Sequence, residues 1–575
     1  MLILGLNSFH ADSSASLIKD GKIIYSLEEE RFKRIKHYSG FPIEAIEKVL
    51  EYSNTSIEDI DYIATNKSNL YNIFEKIKFS LKHFQFNALV EYFKDRNFRK
   101  VDIIKELRKF GKLKNLKKIV DVPHHLSHIS YSYFLSGFDD CIGLTIDGSG
   151  DFSTSESYKI ESGNISIIDK TIFPNSLGIF YQAFTQFLGF RRYGEEYKVM
   201  SLSSYGKPKF IKEIDDMIRI DKNYKINLDL KYFKHHKVGF NLFNETGYPI
   251  FSDLFTNEIE KKLGIPTRYK NEELKDIHFD IAASVQSIFE RIIFEKISFL
   301  QNKTGFNKAC FSGGCFFNSK MAGKIKYNTS LKNIYIGSNP GDAGGAIGSA
   351  LYLSNKINKN SNLNYKDKIS YSMGYSDKLE KETLKRFKDL IKVNKFKNSD
   401  ELINSASDLL KSKKIIAWFQ SGSEWGPRAL GFRSILANPS EKDVADEINI
   451  LLKKRETFRP FAPSICEDDY SKYFEKNFDC SFMNYVVKVK EDAKDIIPAV
   501  VHIDGTSRVH SVSKKDNELF YRLIKSFKNK TNICCVLNTS FNIDEPICET
   551  IEDAINTFLK SNLEYLVLNK NLITK

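Results

Sequence analysis

The 575-residue chain has no run of about eighteen consecutive apolar residues, which excludes an ordinary transmembrane helix. Its start, Met1-Leu2-Ile3-Leu4-Gly5, has neither the basic region nor the small-residue cleavage site of a signal peptide, and it is not an Arg-rich, acid-poor transit sequence. The expected location is therefore the cytoplasm. Tryptophan (2), methionine (6) and proline (13) are scarce. The eight cysteines show no repeated CxxC pair, so reduced thiols serving as small core residues are expected rather than disulfides or a structural zinc. Zinc-finger spacing and the aromatic pattern of an RNA-binding module are also missing. The net charge of +13 thus reads as solvated surface rather than a base-reading face. In the basic stretch Leu81 to Lys118, lysines alternate with Phe93, Phe98, Val101, Ile104 and Leu107 at helical spacing.

With 45 Phe and 28 Tyr, the chain has ample material to bury, and its length calls for at least two domains. An approximate repeat organises the first part. The apolar run Ile3–Leu6 is followed by a polar loop, Asn7 to Ser14. A strand Ala15–Ile18, an Asp20-Gly21 turn and a strand Ile23–Tyr25 come next. Far downstream Ile142–Ile146, the loop Asp147-Gly148-Ser149-Gly150-Asp151, Ser155–Ile160, the turn Ser162-Gly163-Asn164 and Ile165–Ile168 repeat the order. Two such strand–loop–hairpin units predict a duplicated, actin-like (ASKHA) α/β fold. We place this first domain over residues 1–355. The Asn-, Ser- and Lys-rich stretch Ser354 to Lys368 is the expected linker, and a second α/β domain spans 370–575, with helices at Leu402–Leu410, Ala445–Leu452 and Ile551–Leu559 and strands at Lys414–Phe419 and Ile533–Leu537.

Two further glycine loops precede apolar segments: Cys310-Phe-Ser-Gly313-Gly314-Cys315-Phe-Phe-Asn318 and Pro340-Gly341-Asp342-Ala343-Gly344-Gly345. Glycines before a helix start let a phosphate approach the backbone, so Gly148, Gly313, Gly314, Asn318, Gly341, Gly344 and Gly345 are candidate nucleotide contacts. Tight helix–strand packing is the other use of such residues. His124 and His128, one turn apart after the strand Ile119-Val120 and with Pro123 at the expected first helical position, share a helix face. With Asp147 and Asp342 on nearby loops they could hold one iron, zinc or manganese ion; packing histidines are the alternative. His10 and Asp12 lie in the first hairpin loop, where His10 could take a proton from a hydroxyl. In Glu28-Glu29-Glu30-Arg31-Phe32-Lys33-Arg34-Ile35-Lys36-His37, Glu28 and Glu29 are expected on a solvated helix start, whereas Lys36 joins His10 and Asp12 as a catalytic candidate. In the second domain Arg428, Arg433, Lys453, Arg455, Arg459 and Arg508 sit among apolar residues and glycines, where guanidinium groups call for anions. Asn538, Ser540 and Asn542 end a strand in a polar cluster.

These segments together resemble the O-carbamoyltransferases of the nodulation-factor, cephamycin and tobramycin type, nearly end to end. The match is carried by Ser8-Phe-His-Ala-Asp-Ser-Ser-Ala15, Glu28-Glu-Glu-Arg-Phe32, His124-His-Leu-Ser-His128 and Lys198-Val-Met200 with Tyr205-Gly206. Gly341-Asp-Ala-Gly-Gly345, Gly426-Pro-Arg-Ala-Leu-Gly431, Phe458-Arg-Pro-Phe-Ala-Pro463 and Asn538-Thr-Ser-Phe-Asn542 extend it. The resemblance implies an actin-like N-terminal domain and a YrdC-like C-terminal domain. It further implies carbamoyl adenylate formed from carbamoyl phosphate and ATP (with Mg2+), then transfer to a hydroxyl at a centre holding Fe(II) or another divalent metal. On matching positions the metal ligands are His124, His128, Asp147 and Asp342, with His10 at the transfer site. Lys453, Arg459, Arg508 and Ser540 hold carbamoyl phosphate, with Arg428 and Arg433 nearby. The chain departs from the family pattern at Phe432, Ser201, Ser203, Ser204, Ser507 and His510. The implied acceptor is a hydroxyl of a small molecule or glycan, its pocket shaped by the insertions Asn66–Lys118 and Lys207–Lys275. No membrane or nucleic-acid partner is expected, and a homodimer is compatible with the sequence. A regulatory nucleotide-binding protein and a tRNA-modifying carbamoyl transferase are the alternative readings.

Overall fold

The structure is a computed structural model and describes residues 1–82, 101–238, 242–244, 246–358, 367–475 and 478–575. The fold is mixed α/β and divides into two compact units. The first comprises Met1–Glu30, His37–Asn318 and Ile325–Asp367; the second comprises Arg31–Lys36, Ser319–Lys324 and Lys368–Lys575. No helix among the described residues is long and apolar enough to cross a membrane.

The first unit contains the same five-stranded sheet twice. Strands β1 (Leu2–Asn7), β2 (Ser14–Lys19) and β3 (Lys22–Glu28) form an antiparallel meander, and β4 (Tyr62–Thr65) and β5 (Lys118–Asp121) add parallel to β1 in the order β3-β2-β1-β4-β5. Strands β6 (Asp140–Gly150), β7 (Ser153–Glu161) and β8 (Asn164–Ile172) repeat the meander, with β9 (Lys308–Ser312) and β10 (Asn333–Ile336) parallel beside β6. Even the hairpin turns agree. Asp20-Gly21 and Ser162-Gly163 are each left-handed at both central residues, with φ of 48° and 81° in the first and 46° and 84° in the second, the backbone that matches strand twist in a two-residue hairpin. The internal repeat read from the sequence is thus a repeat of topology.

The helix α1 (His124–Ser136) follows β5. Pro123 takes its cap position, one residue earlier than the spacing predicts, and Asp151 accepts the His124 N–H at 2.8 Å. Nearly every residue from His124 to Leu135 is buried, so the helix lacks a polar stripe and sits inside the unit. Helix α2 (Gly344–Ile357) packs against it. At position 348 a Cβ would overlap the Ser127 carbonyl oxygen and crowd the Tyr131 nitrogen, 2.9 Å away. Glycine is what lets the two helices touch at backbone distance.

Two expectations about charged segments change in the folded chain. Glu28 and Glu29 are buried rather than solvated. Glu28 accepts the Asn339 side-chain amide at 2.9 Å. Glu29 accepts the backbone N–H groups of Glu44 (3.1 Å) and Ala45 (2.7 Å), supplying the cap that Pro42 cannot give helix Ile43–Ser53. In the basic stretch, residues 101–107 are helical, but Ile103 and Leu107 are buried while Val101 is 59% exposed. Phe93 and Phe98 lie outside the described residues, as does most of the expected linker; residues 354–357 of that linker continue α2.

The second unit carries an eight-stranded sheet: β11 (Lys392–Lys395), β12 (Ile416–Phe419), β13 (Arg433–Ala437), β14 (Ala462–Cys466), β15 (His510–Val512), β16 (Cys535–Ser540), β17 (Tyr565–Leu568) and β18 (Asn571–Thr574), ordered β11-β18-β17-β12-β13-β16-β14-β15. The segment Arg31–Lys36 joins this unit through its basic side chains. Arg31 donates to the Gly426 carbonyl (2.6 Å), Arg34 to those of Pro546 (2.7 Å) and Ile547 (2.8 Å), and Lys36 reaches Asp544 (3.5 Å).

Gly348→Ala should destabilise the protein by about 1–3 kcal/mol, the usual cost of overpacking. Gly148→Ala, where nothing lies within 4 Å of the added carbon, should change stability by under about 0.5 kcal/mol. Urea unfolding of the two variants checks this; equal midpoints contradict the packing account.

Candidate functional site

Four side chains distant in sequence meet in the first unit. His124 and His128 project from one face of α1, Asp147 comes from the irregular end of β6, and Asp342 from the loop before α2. Their ligand atoms all lie within 4.8 Å of one another. His128 Nε2 is 3.0 Å from His124 Nε2 and 3.2 Å from both Asp147 Oδ2 and Asp342 Oδ1; His124 Nε2 is 3.4 Å from Asp342 Oδ1 and 4.0 Å from Asp147 Oδ2. A metal bound at about 2.0–2.2 Å separates neighbouring donors by roughly 3–3.5 Å. Two imidazoles and two carboxylates at these spacings fit a first-row divalent ion.

The backbone holds the carboxylates in place. Asp147 Oδ1 accepts the Gly148 N–H at 2.6 Å and Oδ2 the Gly314 N–H at 3.0 Å. His10 Nδ1 stands 2.8 Å from Asp342 Oδ2, so Asp342 faces His128 and His124 through one oxygen and His10 through the other. Burial opposes charge on His10, His128, Asp147 and Asp342, yet their mutual field wins. His128 is pushed up to about 9 by hydrogen bonds and attraction from Asp147 and Asp342, His10 is also raised by Asp342, and both carboxyls fall below the usual range beside the imidazoles. The pocket favours positive charge. His125, on the other side of α1, differs: burial pushes it down to about 3, and its Nδ1 meets Thr145 Oγ1 at 2.8 Å.

Of the candidate nucleotide residues, Gly313, Gly314, Gly341, Gly344 and Gly345 meet the protein itself. A Cβ would overlap the Ile146 carbonyl at 313 and the Asn339 carbonyl at 344, press the Phe317 ring at 341 and Asn66 at 345, and come within 3.2 Å of Asp147 at 314. Asn318 exchanges hydrogen bonds with Gln286, at 2.9 and 3.1 Å. Gly148 alone of the set faces open space. At the other five glycines a side chain would collide with or crowd the protein.

Asp12 forms a separate group with two residues that the sequence reading did not single out. Asp12 Oδ1 is 2.8 Å from His37 Nδ1, and Glu30 Oε2 accepts the His37 backbone N–H at 2.7 Å. The Tyr193 ring meets the His37 ring edge-on, with centroids 4.9 Å apart. Glu196, at the start of helix Glu196–Leu202, is pushed up to about 7, chiefly by burial, with Asp147 adding to the rise and His37 opposing it. His37 closes a dense charge run and Glu196 sits beside Glu195; neither shows a periodic pattern that marks it.

In the second unit the cationic candidates fall into two sets. Lys453, after the wide turn Ile448–Leu452, is buried and donates to Ser540 (carbonyl, and Oγ at 3.3 Å) and to Asn542 (carbonyl at 2.8 Å, Oδ1 at 2.6 Å). Burial and the charges of Arg455, Arg459 and Lys36 hold its ammonium well below the usual lysine value. Arg508 is likewise lowered by burial and by Arg428, Arg455 and Arg459, and Arg428 is pushed down to about 10 by burial and Arg459. Burial is the larger cause of each of these shifts, and the neighbouring cations add to it. Lys36, grouped with His10 and Asp12 by sequence, belongs to this unit and adds to its field. Arg433 and Asn538 turn inward instead. Arg433 is fully buried, donates to the Gln420 and Glu549 carbonyls and lies 3.6 Å from the centroid of the Phe419 ring; Asn538 donates to the Ala429 carbonyl (2.9 Å) and Ser464 Oγ (2.8 Å). His510, a departure beside Arg508, is buried against Ser464 at 2.9 Å and pushed down to about 3 by burial, so it adds no charge.

Comparison with known proteins identifies the family. The family model described as Carbamoyltransferase N-terminus matches residues 2–351, and Carbamoyltransferase C-terminus matches residues 407–575. Nodulation protein NolNO of Sinorhizobium fredii is 32% identical across 99% of this chain and 80% of its own length. The 3'-hydroxymethylcephem-O-carbamoyltransferase of Amycolatopsis lactamdurans is 36% identical over 24% of this chain and 26% of its own. Among solved structures, HypF of T. kodakarensis aligns over 62% of this chain and 48% of its own at 13% identity with a TM-score of 0.32, a likeness too small to fix fold or function. With both family models matched in order and a nodulation protein similar across nearly all of this chain, the chain belongs to the carbamoyltransferase family and is an enzyme of that transferase class.

Proposed function

We propose that this carbamoyltransferase is ATP-dependent and acts on a hydroxyl of a sugar, glycan or secondary metabolite. The second unit makes carbamoyl adenylate from carbamoyl phosphate and ATP, the latter with Mg2+, and the first unit transfers the carbamoyl group. The first unit is of the actin-like (ASKHA) kind, a reading supported by its two identical sheet topologies, and the second is of the YrdC-like kind. The observation that carries the proposal is the clustering of Lys453, Arg428 and Arg508 with further cations, each lowered first by burial and then by neighbouring charges of the same sign, a setting that a bound polyphosphate would relieve.

In this reading Arg428, Arg455, Arg459 and Arg508 grip phosphate oxygens, and Lys453 is aimed by Ser540 and Asn542. Lys36 completes the nest. Adenylation gives the carbamoyl carbon a good leaving group. Gly148 and the neighbouring loops border the adenylate in the first unit. His124, His128, Asp147 and Asp342 hold Fe(II) or a related divalent ion, which when bound supplies a Lewis acid that polarises the carbamoyl oxygen. His10 fixes Asp342 and presents its other ring nitrogen to the transfer site, beside Asp12. Excluding water there limits hydrolysis of the labile adenylate.

Pyrophosphate release should require ATP and carbamoyl phosphate together. Lys453→Ala or Arg459→Ala should lower it by roughly 100-fold or more, as for removal of a charge-stabilising donor, while His124→Ala should leave it within about two-fold and abolish transfer. A coupled pyrophosphate assay decides; normal release in both second-unit variants contradicts the assignment.

A further inference from the structure

The loop that carries Lys453, Arg455 and Arg459 hangs on one buried amide. Helix Asp443–Glu447 runs into the wide turn Ile448–Leu452, which ends where the Lys453 N–H reaches back to the Ile448 carbonyl at 2.8 Å. Lys454 then takes φ 48°, a left-handed state usually left to glycine where a helix stops. The reversal brings the Arg455 N–H onto the Asn449 carbonyl at 3.0 Å. Lys453 and Arg455 therefore leave the turn on separate supports. Lys453 rests on Ser540 and Asn542, and Arg455 rests on Asn449.

Asn449 is 1% exposed. An amide side chain has one carbonyl and two N–H donors, and here all are used on the same loop. Its Oδ1 accepts the Arg455 Nε–H at 2.6 Å, and its Nδ2 donates to the Thr457 carbonyl at 3.4 Å and the Arg459 carbonyl at 3.1 Å. These partners lie six, eight and ten residues further along the chain. A side chain on a helical turn ordinarily meets groups three or four residues away, so this reach serves the loop rather than the turn. Two neighbours add to the hold. The Arg455 guanidinium lies 4.8 Å from the centroid of the Phe461 ring, and Pro460 disfavours a helical backbone at Arg459.

Arg455 and Arg459 both act on Lys453 and on Arg508, so the four cations share one field. Like charges push such a loop apart unless its backbone is pinned, and a buried amide with its polar groups satisfied stiffens what it joins. We propose that Asn449 is the positioning residue of this anion site: it sets Arg455 and Arg459 in place before carbamoyl phosphate arrives, and it touches no substrate itself. This rests on the carbamoyl-adenylate reading above. The benefit is preorganisation, because two long cationic side chains are ordered on folding instead of on binding.

Steady-state pyrophosphate release by the full-length protein tests the role. In Asn449→Leu, which keeps the bulk and removes the side-chain hydrogen bonds, kcat/KM for carbamoyl phosphate should fall about 30- to 100-fold, mostly through KM. A merely structural role would lower the amount of active enzyme and leave KM unchanged. Since Asn449 acts through its partners, the loss in Asn449→Leu/Arg455→Ala should fall short of the product of the two single losses by about 10-fold or more. Should Asn449→Leu not fold by circular dichroism, Asn449→Asp, of the same size but without the two N–H donors, is put through the same comparison. An unchanged KM in the folded variant, or single losses that multiply in the double one, overturns the role of Asn449 alone. Wild-type protein that releases no pyrophosphate from ATP and carbamoyl phosphate overturns the carbamoyl-adenylate reading, and this proposal with it.

Discussion

Two imidazoles and two carboxylates whose ligand atoms lie within 4.8 Å of one another, three of the four residues buried and Asp147 half-buried, impose the strongest constraint on the first unit. Buried charge costs several kcal/mol unless it is compensated, and here compensation is mutual: each aspartate lowers its own pKa by raising a histidine's. Bringing the four together requires α1 to run beside α2 at backbone distance, which Gly348 permits. It also requires the end of β6 to leave regular pairing after Ile146 so that Asp147 turns inward. The packing of the unit and the electrostatics of its centre are one problem with one solution.

The two units solve opposite electrostatic problems. The first gathers anionic side chains around imidazoles and so prefers a cation. The second gathers guanidinium and ammonium groups whose charge is opposed first by burial and then by neighbours of the same sign, which in the proposed reading a polyanion relieves. The division suits a reaction with two demands. Activating a carbamoyl group means handling phosphates, and transferring it means stabilising charge on a carbonyl oxygen while a hydroxyl loses its proton. Arg31–Lys36 contributes to the second set while Glu30 and His37, on either side of it, belong to the first. A ten-residue charge run thus carries parts of both.

The sequence makes some of this legible and hides the rest for physical reasons. Period-two patterns and tight turns report local structure, so both meanders can be read directly from Ile3–Tyr25 and Ile142–Ile168. An i, i+4 histidine pair is also local, and it points to one helix face before any contact is known. Charge runs carry no such information. Glu29 is placed by the unsatisfied end of the helix that starts at Ile43, Arg433 by carbonyls at Gln420 and Glu549, and His37 by Asp12; each partner lies far enough along the chain that composition cannot reveal it. Glycine loops are ambiguous in a related way. The same residue allows close approach by a phosphate or by protein, and at Gly341, Gly344 and Gly345 the neighbour is protein.

The central claim is that His124, His128, Asp147 and Asp342 form one divalent-metal site. Titration of metal-stripped protein with Co(II), followed through its visible absorption, tests it most directly. One equivalent should bind with the intense bands of a low-coordinate nitrogen and oxygen site, and these should be lost in both His128→Ala and Asp342→Ala while the variants remain folded by circular dichroism. Wild-type protein that gives only the weak spectrum of hydrated cobalt, or variants that retain the intense bands, would contradict it.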